Sequence, residues 1–192
     1  AAAERVSPLP IKAIYSSPVL RCHETAEYIA QRQNLPVTLL DGVGEVRYGK
    51  WEGKKIKKLA KKKKWFTVQF FPSRMKFPGG ESLREVQARG VNALEELACA
   101  HDDKDIIVVV SHADLIKLVL AHYLGVHVDL FQRILISPAS VSVLHLSENG
   151  MVRVGRVNDD GPLQPPPKPK EKKKATDPAS DSATAVPEKS NS

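Results

Sequence analysis

Residues 106–114 read Ile106-Ile107-Val108-Val109-Val110-Ser111-His112-Ala113-Asp114. The five aliphatic residues show no alternation of apolar and polar positions, the pattern of a strand covered on both faces in a parallel sheet. The run ends at Ser111-His112, and a helix is predicted from about Asp114 to Leu124, where Gly125 stops it. A buried strand that passes at once into a helix is half of an α/β repeat.

Upstream, Ile11 to Tyr15 is a second short apolar run, followed by Ser16-Ser17-Pro18. Ser17 is placed to cap a helix and Pro18 to take its first position. The helix is predicted to reach about Gln33. Cys22, Ala26, Ile29 and Ala30 recur at i, i+4, i+7 and i+8 and form its buried face, and Asn34 with Pro36 marks its end. Val37 to Leu40 reads as the next strand. Ser82-Leu83-Arg84-Glu85 matches a capping box that opens a helix to about Ala100. Past Gly125, Val141 to Leu146 and Met151 to Val157 flank Glu148-Asn149-Gly150 as a hairpin. The predicted fold class is therefore α/β: a mostly parallel central sheet sandwiched by helices, with a C-terminal hairpin.

The 192 residues, 42% hydrophobic and 27% charged, suit one soluble domain, placed at residues 1–161, and a tail at 162–192. The tail is built mainly from Pro, Lys, Ser, Ala, Thr and Asp and cannot bury enough surface to repay its ordering entropy, so it is predicted to be disordered. Its run Pro165-Pro166-Pro167-Lys168-Pro169-Lys170 favours polyproline II and reads as a solvated linker. No apolar stretch approaches the roughly 18 residues of a membrane span, and Ala1 to Pro10 lacks the apolar core of a secretory signal. Cys22 and Cys99 have no metal-ligand spacing and read as reduced, small apolar residues. A cytoplasmic protein with no membrane partner is expected.

The net charge of +7 is local. Nine lysines and one acid, Glu52, lie between Lys50 and Lys64, a local +8 that leaves −1 for the rest of the chain. Basicity confined to one patch gives no expectation of a nucleic-acid partner. Ile56, Leu59 and Ala60 make a narrow apolar stripe on a basic helix, so the lysines read as a solvated face. They alternatively sit at a pocket mouth and attract multiply charged substrates.

Three segments at strand exits carry residues suited to phosphate chemistry, because ligands of such sheets bind at the carboxyl ends of the strands. Arg21 follows the turn Ser16-Ser17-Pro18, where a helix start presents backbone N–H groups and a guanidinium matches two phosphate oxygens. Glu45 lies in the glycine-punctuated loop Gly44-Glu45-Val46-Arg47-Tyr48-Gly49-Lys50-Trp51-Glu52-Gly53. A carboxyl there, placed beside a phosphate and screened by aromatic surface, is expected to have its pKa raised, which suits a general acid. His112 closes the most apolar strand and can stabilise phosphoryl charge. Taken alone, each segment reads more readily as structural. His101, His122, His127 and His145 form no two-ligand spacing, and His23 reads as a surface residue. No metal site is predicted.

Taken in order, Ser-Ser-Pro-x-x-Arg-Cys-x-Glu-Thr-Ala, Gly-Glu-x-x-Tyr-Gly-x-Trp-Glu-Gly, Pro-Gly-Gly-Glu-Ser-Leu and Ser-His-x-Asp-x-Ile-Lys resemble the histidine phosphatase superfamily, in its bacterial phosphoglycerate mutase-like branch. The resemblance covers about Ala1 to Gly161. It implies hydrolysis of a small phosphorylated substrate, a phosphomonoester, through a phosphohistidine intermediate, with no metal or other cofactor. Arg21 then corresponds to the second arginine of the phosphate clamp, His112 to its second histidine and Glu45 to the acid. Mutase-type transfer and a non-catalytic phosphate-binding module are the alternatives. Ala113 stands where the family often has glycine. No Arg-His-Gly, the family's motif for the nucleophilic histidine, occurs in these residues. The expectation is a domain incomplete at its N-terminus, inactive by itself, with an open position inside its sheet.

Overall fold

The computed structural model describes residues 2–147 and 149–162. The tail from residue 163 onward, with its proline run, and Glu148 of the hairpin turn lie outside the described residues. Helices are α1 (Ala2–Val6), α2 (Leu20–Gln33), α3 (Ile56–Leu59), α4 (Lys63–Phe70), α5 (Leu83–Ala100) and α6 (Ala113–Tyr123). Strands are β1 (Ile11–Ser16), β2 (Val37–Leu39), β3 (Ile106–Val110), β4 (Val141–Leu146) and β5 (Val152–Asp159).

The first three strands form a parallel sheet in the order β2-β1-β3. β1 lies between the other two, with Ile14 beside Val37 on one side and Val108 on the other. β1 thus pairs directly with β3, whose other edge is unpaired among the described strands. β4 and β5 pair antiparallel as a sheet of their own. Gly150, at a φ of +79°, turns that hairpin, and its N–H donates to Ser147 O.

Helices cover both faces of the parallel sheet. Ile11 and Ile14 of β1 pack with Ala26, Ile29 and Ala30 of α2, and Val108 and Val110 of β3 join that cluster. Val109, pointing the other way, packs into the larger core built by α5 and α6. This alternation is why β3 lacks a polar face: each successive valine meets a different apolar layer. β3 is still only half-buried, because it is the edge of its sheet.

The buried residues of α2 are Cys22, Ala26, Ile29 and Ala30, and Asn34 ends the helix in the left-handed conformation at a φ of 53°. α5 begins with the reciprocal capping box of Ser82 and Glu85, which satisfies two N–H groups that a helix start otherwise leaves orphaned. The lysine-rich segment departs from the sequence reading. α3 is only four residues long, and Leu59 is buried while Ile56 faces solvent.

Candidate active site

The site begins where two parallel strands end side by side. The Ser17 N–H donates to Val110 O at 2.9 Å, which extends the β1–β3 ladder by one bond and brings Ser17 next to His112. Ser17 is fully buried, and its Oγ lies 2.8 Å from His112 Nε2. This corrects the predicted cap. α2 starts at Leu20, its N-cap Val19 supplies no side-chain bond, and the Ser17 hydroxyl is committed to the histidine and to the Val19 N–H. A buried polar ring must be partnered, and that demand from a residue far along the chain outweighs a local capping preference.

Arg21 lies in the first turn of α2. Its Nη2 sits 2.8 Å from Glu45 Oε2 and 2.8 Å from His112 Nδ1, and the Glu45 to His112 separation is 3.3 Å. All three residues singled out in the sequence therefore meet at one point. Exposure grades inward: the side chains are 61% exposed at Arg21, 29% at Glu45 and 2% at His112. An anion approaching from solvent reaches the guanidinium first.

The loop bearing Glu45 is held from two sides. Ser111 Oγ donates to Val43 O at 2.7 Å. Arg89 of α5 donates to the carbonyls of Gly42, Gly44 and Glu45, each at 2.9 Å, while its guanidinium also grips both carboxylate oxygens of Glu81. Glu81 in turn accepts the Arg47 N–H. The glycine of Pro-Gly-Gly-Glu is needed for the same closeness, since a Cβ on Gly80 would run into the Arg47 carbonyl oxygen. Pro18, Val19, Arg21, Glu45, Arg47 and Tyr48 contribute to the wall of a cleft of about 320 Å³ here. His112 lies behind Arg21 and Glu45.

Protonation follows from these contacts. Burial opposes charge on the His112 ring, but hydrogen bonding to Cys22 and Glu45 outweighs it and raises its pKa to about 9. Burial also pushes the Glu45 carboxyl upward, yet the hydrogen bond and charge of His112, the Val46 N–H and the Arg21 charge together hold it below its usual value. With no phosphate beside it, the carboxyl is therefore lowered rather than raised. Tyr48, which shares the cleft wall with Glu45, donates to Asp114 Oδ2 at 3.1 Å and packs edge-on against Phe77, and Trp51 lies against Phe77 and Trp65. An arginine can only donate. With a neutral ring, Nδ1 accepts from Arg21 and Nε2–H points to Ser17. With a charged ring, Nδ1–H faces Glu45 Oε2 at 3.3 Å, and the guanidinium keeps its own 2.8 Å contact with the same carboxylate oxygen.

Sequence reasoning missed Ser17, Arg89 and the contact of Cys22 with the ring, where Sγ is 3.5 Å from Nε2. A signal for Arg89 was present: it lies three residues after Val86 and four before Ala93, both buried, so a charge sits on the apolar face of α5. The remaining histidines stay apart, His23 beside Glu27 on the surface and His101 bonded to Tyr15. Cys99, read as a small apolar residue, is exposed. Among the described residues no group of three or more His, Cys, Asp or Glu is arranged to hold a metal. Among them also, no helix is long and apolar enough to cross a membrane.

A profile of the "Histidine phosphatase superfamily (branch 1)" matches residues 1–160. The chain belongs to this superfamily. As a histidine phosphatase superfamily member it is 33% identical over 151 residues to phosphoserine phosphatase 1 of Hydrogenobacter thermophilus, covering 76% of this chain and 70% of that protein. It is 28% identical over 158 residues to the bifunctional protein Rv2228c of Mycobacterium tuberculosis, covering 80% of this chain but only 42% of that longer protein. Among solved structures, Bacillus stearothermophilus YhfR aligns at a TM-score of 0.76 and 21% identity, over 83% of this chain and 80% of that one. The mycobacterial glucosyl-3-phosphoglycerate phosphatase Rv2419c aligns at 0.73 and 22%, over 82% and 81%. At these identities the two structures establish likeness of fold.

Proposed function

We propose that this histidine phosphatase superfamily member hydrolyses small phosphomonoesters, with Arg21 and His112 binding the phosphoryl group and Glu45 managing the proton. The observation that carries the reading is the meeting of these three side chains within 2.8–3.3 Å, with Arg21 and Glu45 in the wall of one cleft and His112 directly behind them. Identity to a relative named for phosphoserine phosphatase activity favours hydrolysis over mutase transfer.

On this reading the phosphate dianion takes the guanidinium away from Glu45, and His112, protonated, donates to a second phosphoryl oxygen. Donors aimed at developing charge act strongly in a cleft with little water. Losing Arg21 and gaining a neighbouring anion raises the Glu45 carboxyl, which then holds a proton for the leaving alcohol. The nucleophile is an imidazole nitrogen in an Arg-His-Gly segment outside these residues, as the resemblance implies. As it bonds to phosphorus, the ester P–O bond breaks and Glu45 protonates the departing oxygen. Glu45, now a carboxylate, takes a proton from water; the water oxygen bonds to phosphorus, and the P–N bond breaks to release orthophosphate.

The test compares the chain alone with a version given a preceding strand that ends in Arg-His-Gly. The chain alone is expected to bind orthophosphate without turnover, and the extended version to hydrolyse a nitrophenyl phosphate at a rate unchanged by chelator. Arg21→Ala and His112→Ala should each lower that rate about 100-fold or more. Wild-type rates in both variants would overturn the assignment.

A further inference from the structure

The lysine patch adjoins an exposed apolar cluster. All nine lysines between Lys50 and Lys64 are exposed, and among the described residues none has a carboxylate within 4 Å. The one acid in the segment, Glu52, accepts the Gly49 N–H at 3.0 Å. Directly after the lysines, α4 places Phe66 and Phe70 on one face, one turn apart, and Phe71 follows. Their exposures are 58%, 60% and 44%. The ring of Phe66 lies 4.5 Å from that of Phe70 and 6.0 Å from that of Phe71. Ile56 is exposed on the preceding turn. The result is an apolar knob adjoining a run of unpaired positive charge.

We propose that this knob and its lysines dock the protein on a membrane surface rich in anionic phospholipid. Apolar side chains on one side and lysines on the other are what a helix lying in the headgroup region requires: the rings enter the acyl boundary, and lysine stems run alongside while their ammonium groups stay with the phosphates. Nucleic acid fits less well. Bases stack on separated aromatic platforms, whereas these three rings pack on one another, and a phosphodiester strand lying along the lysines would leave the knob in water. None of these residues has a role in the chemistry proposed above, so the two readings stand or fall separately.

Sedimentation of the full 192-residue chain with lipid vesicles tests the assignment. Binding is expected to vesicles of mixed phosphatidylcholine and phosphatidylglycerol and to be absent with phosphatidylcholine alone. Each lysine near an anionic surface is worth about fivefold in affinity, so replacing Lys57, Lys58, Lys61 and Lys62 with glutamine should weaken binding on the order of a hundredfold or more. The lysines beyond residue 162 remain in that variant, so the loss reads the patch alone. Phe66→Ser with Phe70→Ser should keep the low-salt attraction and abolish the part that survives high salt. Thermal unfolding should not change in either variant, since the side chains are exposed. Parent-like binding by either variant overturns the proposal, as does absence of binding by the parent. Equal retention of the parent by a single-stranded oligonucleotide, with the phenylalanine pair irrelevant, assigns the surface to nucleic acid instead.

Discussion

The Arg21 guanidinium lies 2.8 Å from Oε2 of Glu45, so the proposed phosphate ligand and the proposed proton carrier neutralise one another while the cleft is empty. An entering phosphate must break that pair. The exposure of Arg21 makes the exchange inexpensive, because an ion pair in contact with water contributes little.

Two substitutions across this pair should act in opposite directions on orthophosphate affinity, measured by calorimetric titration of the chain. Arg21→Ala removes a charged donor and should weaken binding about 10- to 100-fold, the range for a hydrogen bond to a charged group. Glu45→Gln removes both a competitor for the guanidinium and a negative charge beside the anion, and should tighten binding. Weakening in both variants would show that Glu45 is a ligand rather than a competitor.

Stability should fall from neutral toward alkaline pH because of His112. Its folded pKa of about 9 stands above an unfolded value of about 6.5, so the folded state binds the extra proton between these values. The contribution is complete below about pH 6.5 and is lost as pH rises through about 9, an amount on the order of 1–3 kcal/mol. The midpoint of thermal unfolding should drop across that window, and His112→Gln should flatten the drop. Glu45 has the opposite sign: its lowered pKa gives stability that is present above the ordinary carboxylate range and lost as pH falls through the folded value. An unchanged alkaline profile in His112→Gln would show that the ring is neutral when folded.

The parts of the fold set by local periodicity were legible. Cys22, Ala26, Ile29 and Ala30 had to share a face at helical spacing, and Ser82 with Glu85 had to satisfy a helix start, whatever lay around them. Arg21, Glu45 and His112 were legible as phosphate-handling residue types at strand exits. Their protonation was not, because Glu45 is governed by a guanidinium 24 positions earlier in sequence and an imidazole 67 positions later. Ser17 failed as a predicted cap for the same reason: its hydroxyl serves His112, 95 positions away. The exposed rings of α4 were equally hidden, since an apolar residue next to lysines reads as core until the packing partner is found missing.

Gly80→Ala should be costly despite adding one methyl group. The new Cβ meets the Arg47 carbonyl oxygen and crowds the Gly49 nitrogen, both backbone atoms with no rotamer to yield. Relief requires the Pro-Gly-Gly segment to part from the Glu45 loop, breaking the Glu81 N–H bond to Arg47 O. Overpacking of this kind costs about 1–3 kcal/mol, and denaturant unfolding should show the midpoint moving with an unchanged slope. A midpoint equal to the parent's would mean that the two loops are not in contact in solution.

Arg89 should matter more than any other residue that holds the loop. It bridges α5 to three carbonyls of the Gly42 to Glu45 segment and to Glu81, with side chains 20% and 14% exposed in the ion pair. Arg89→Ala leaves those carbonyls unsatisfied and Glu81 without its cation. Together these should cost about 2–4 kcal/mol, below the figure for a fully buried pair because both side chains keep some solvent. In a chain of this size each kcal/mol lowers the unfolding midpoint by about 2–4 °C. Arg89→Lys should recover less than half of the loss, since one ammonium cannot fork onto a carboxylate and reach three carbonyls at once. Glu81→Gln alone should cost less than Arg89→Ala, because the amide still accepts the Arg47 N–H and the guanidinium keeps its carbonyl partners. A double-mutant cycle between the two should therefore return a coupling smaller than the Arg89→Ala effect. If the cycle accounts for the entire effect, the carbonyl contacts contribute nothing and Arg89 merely answers the charge of Glu81.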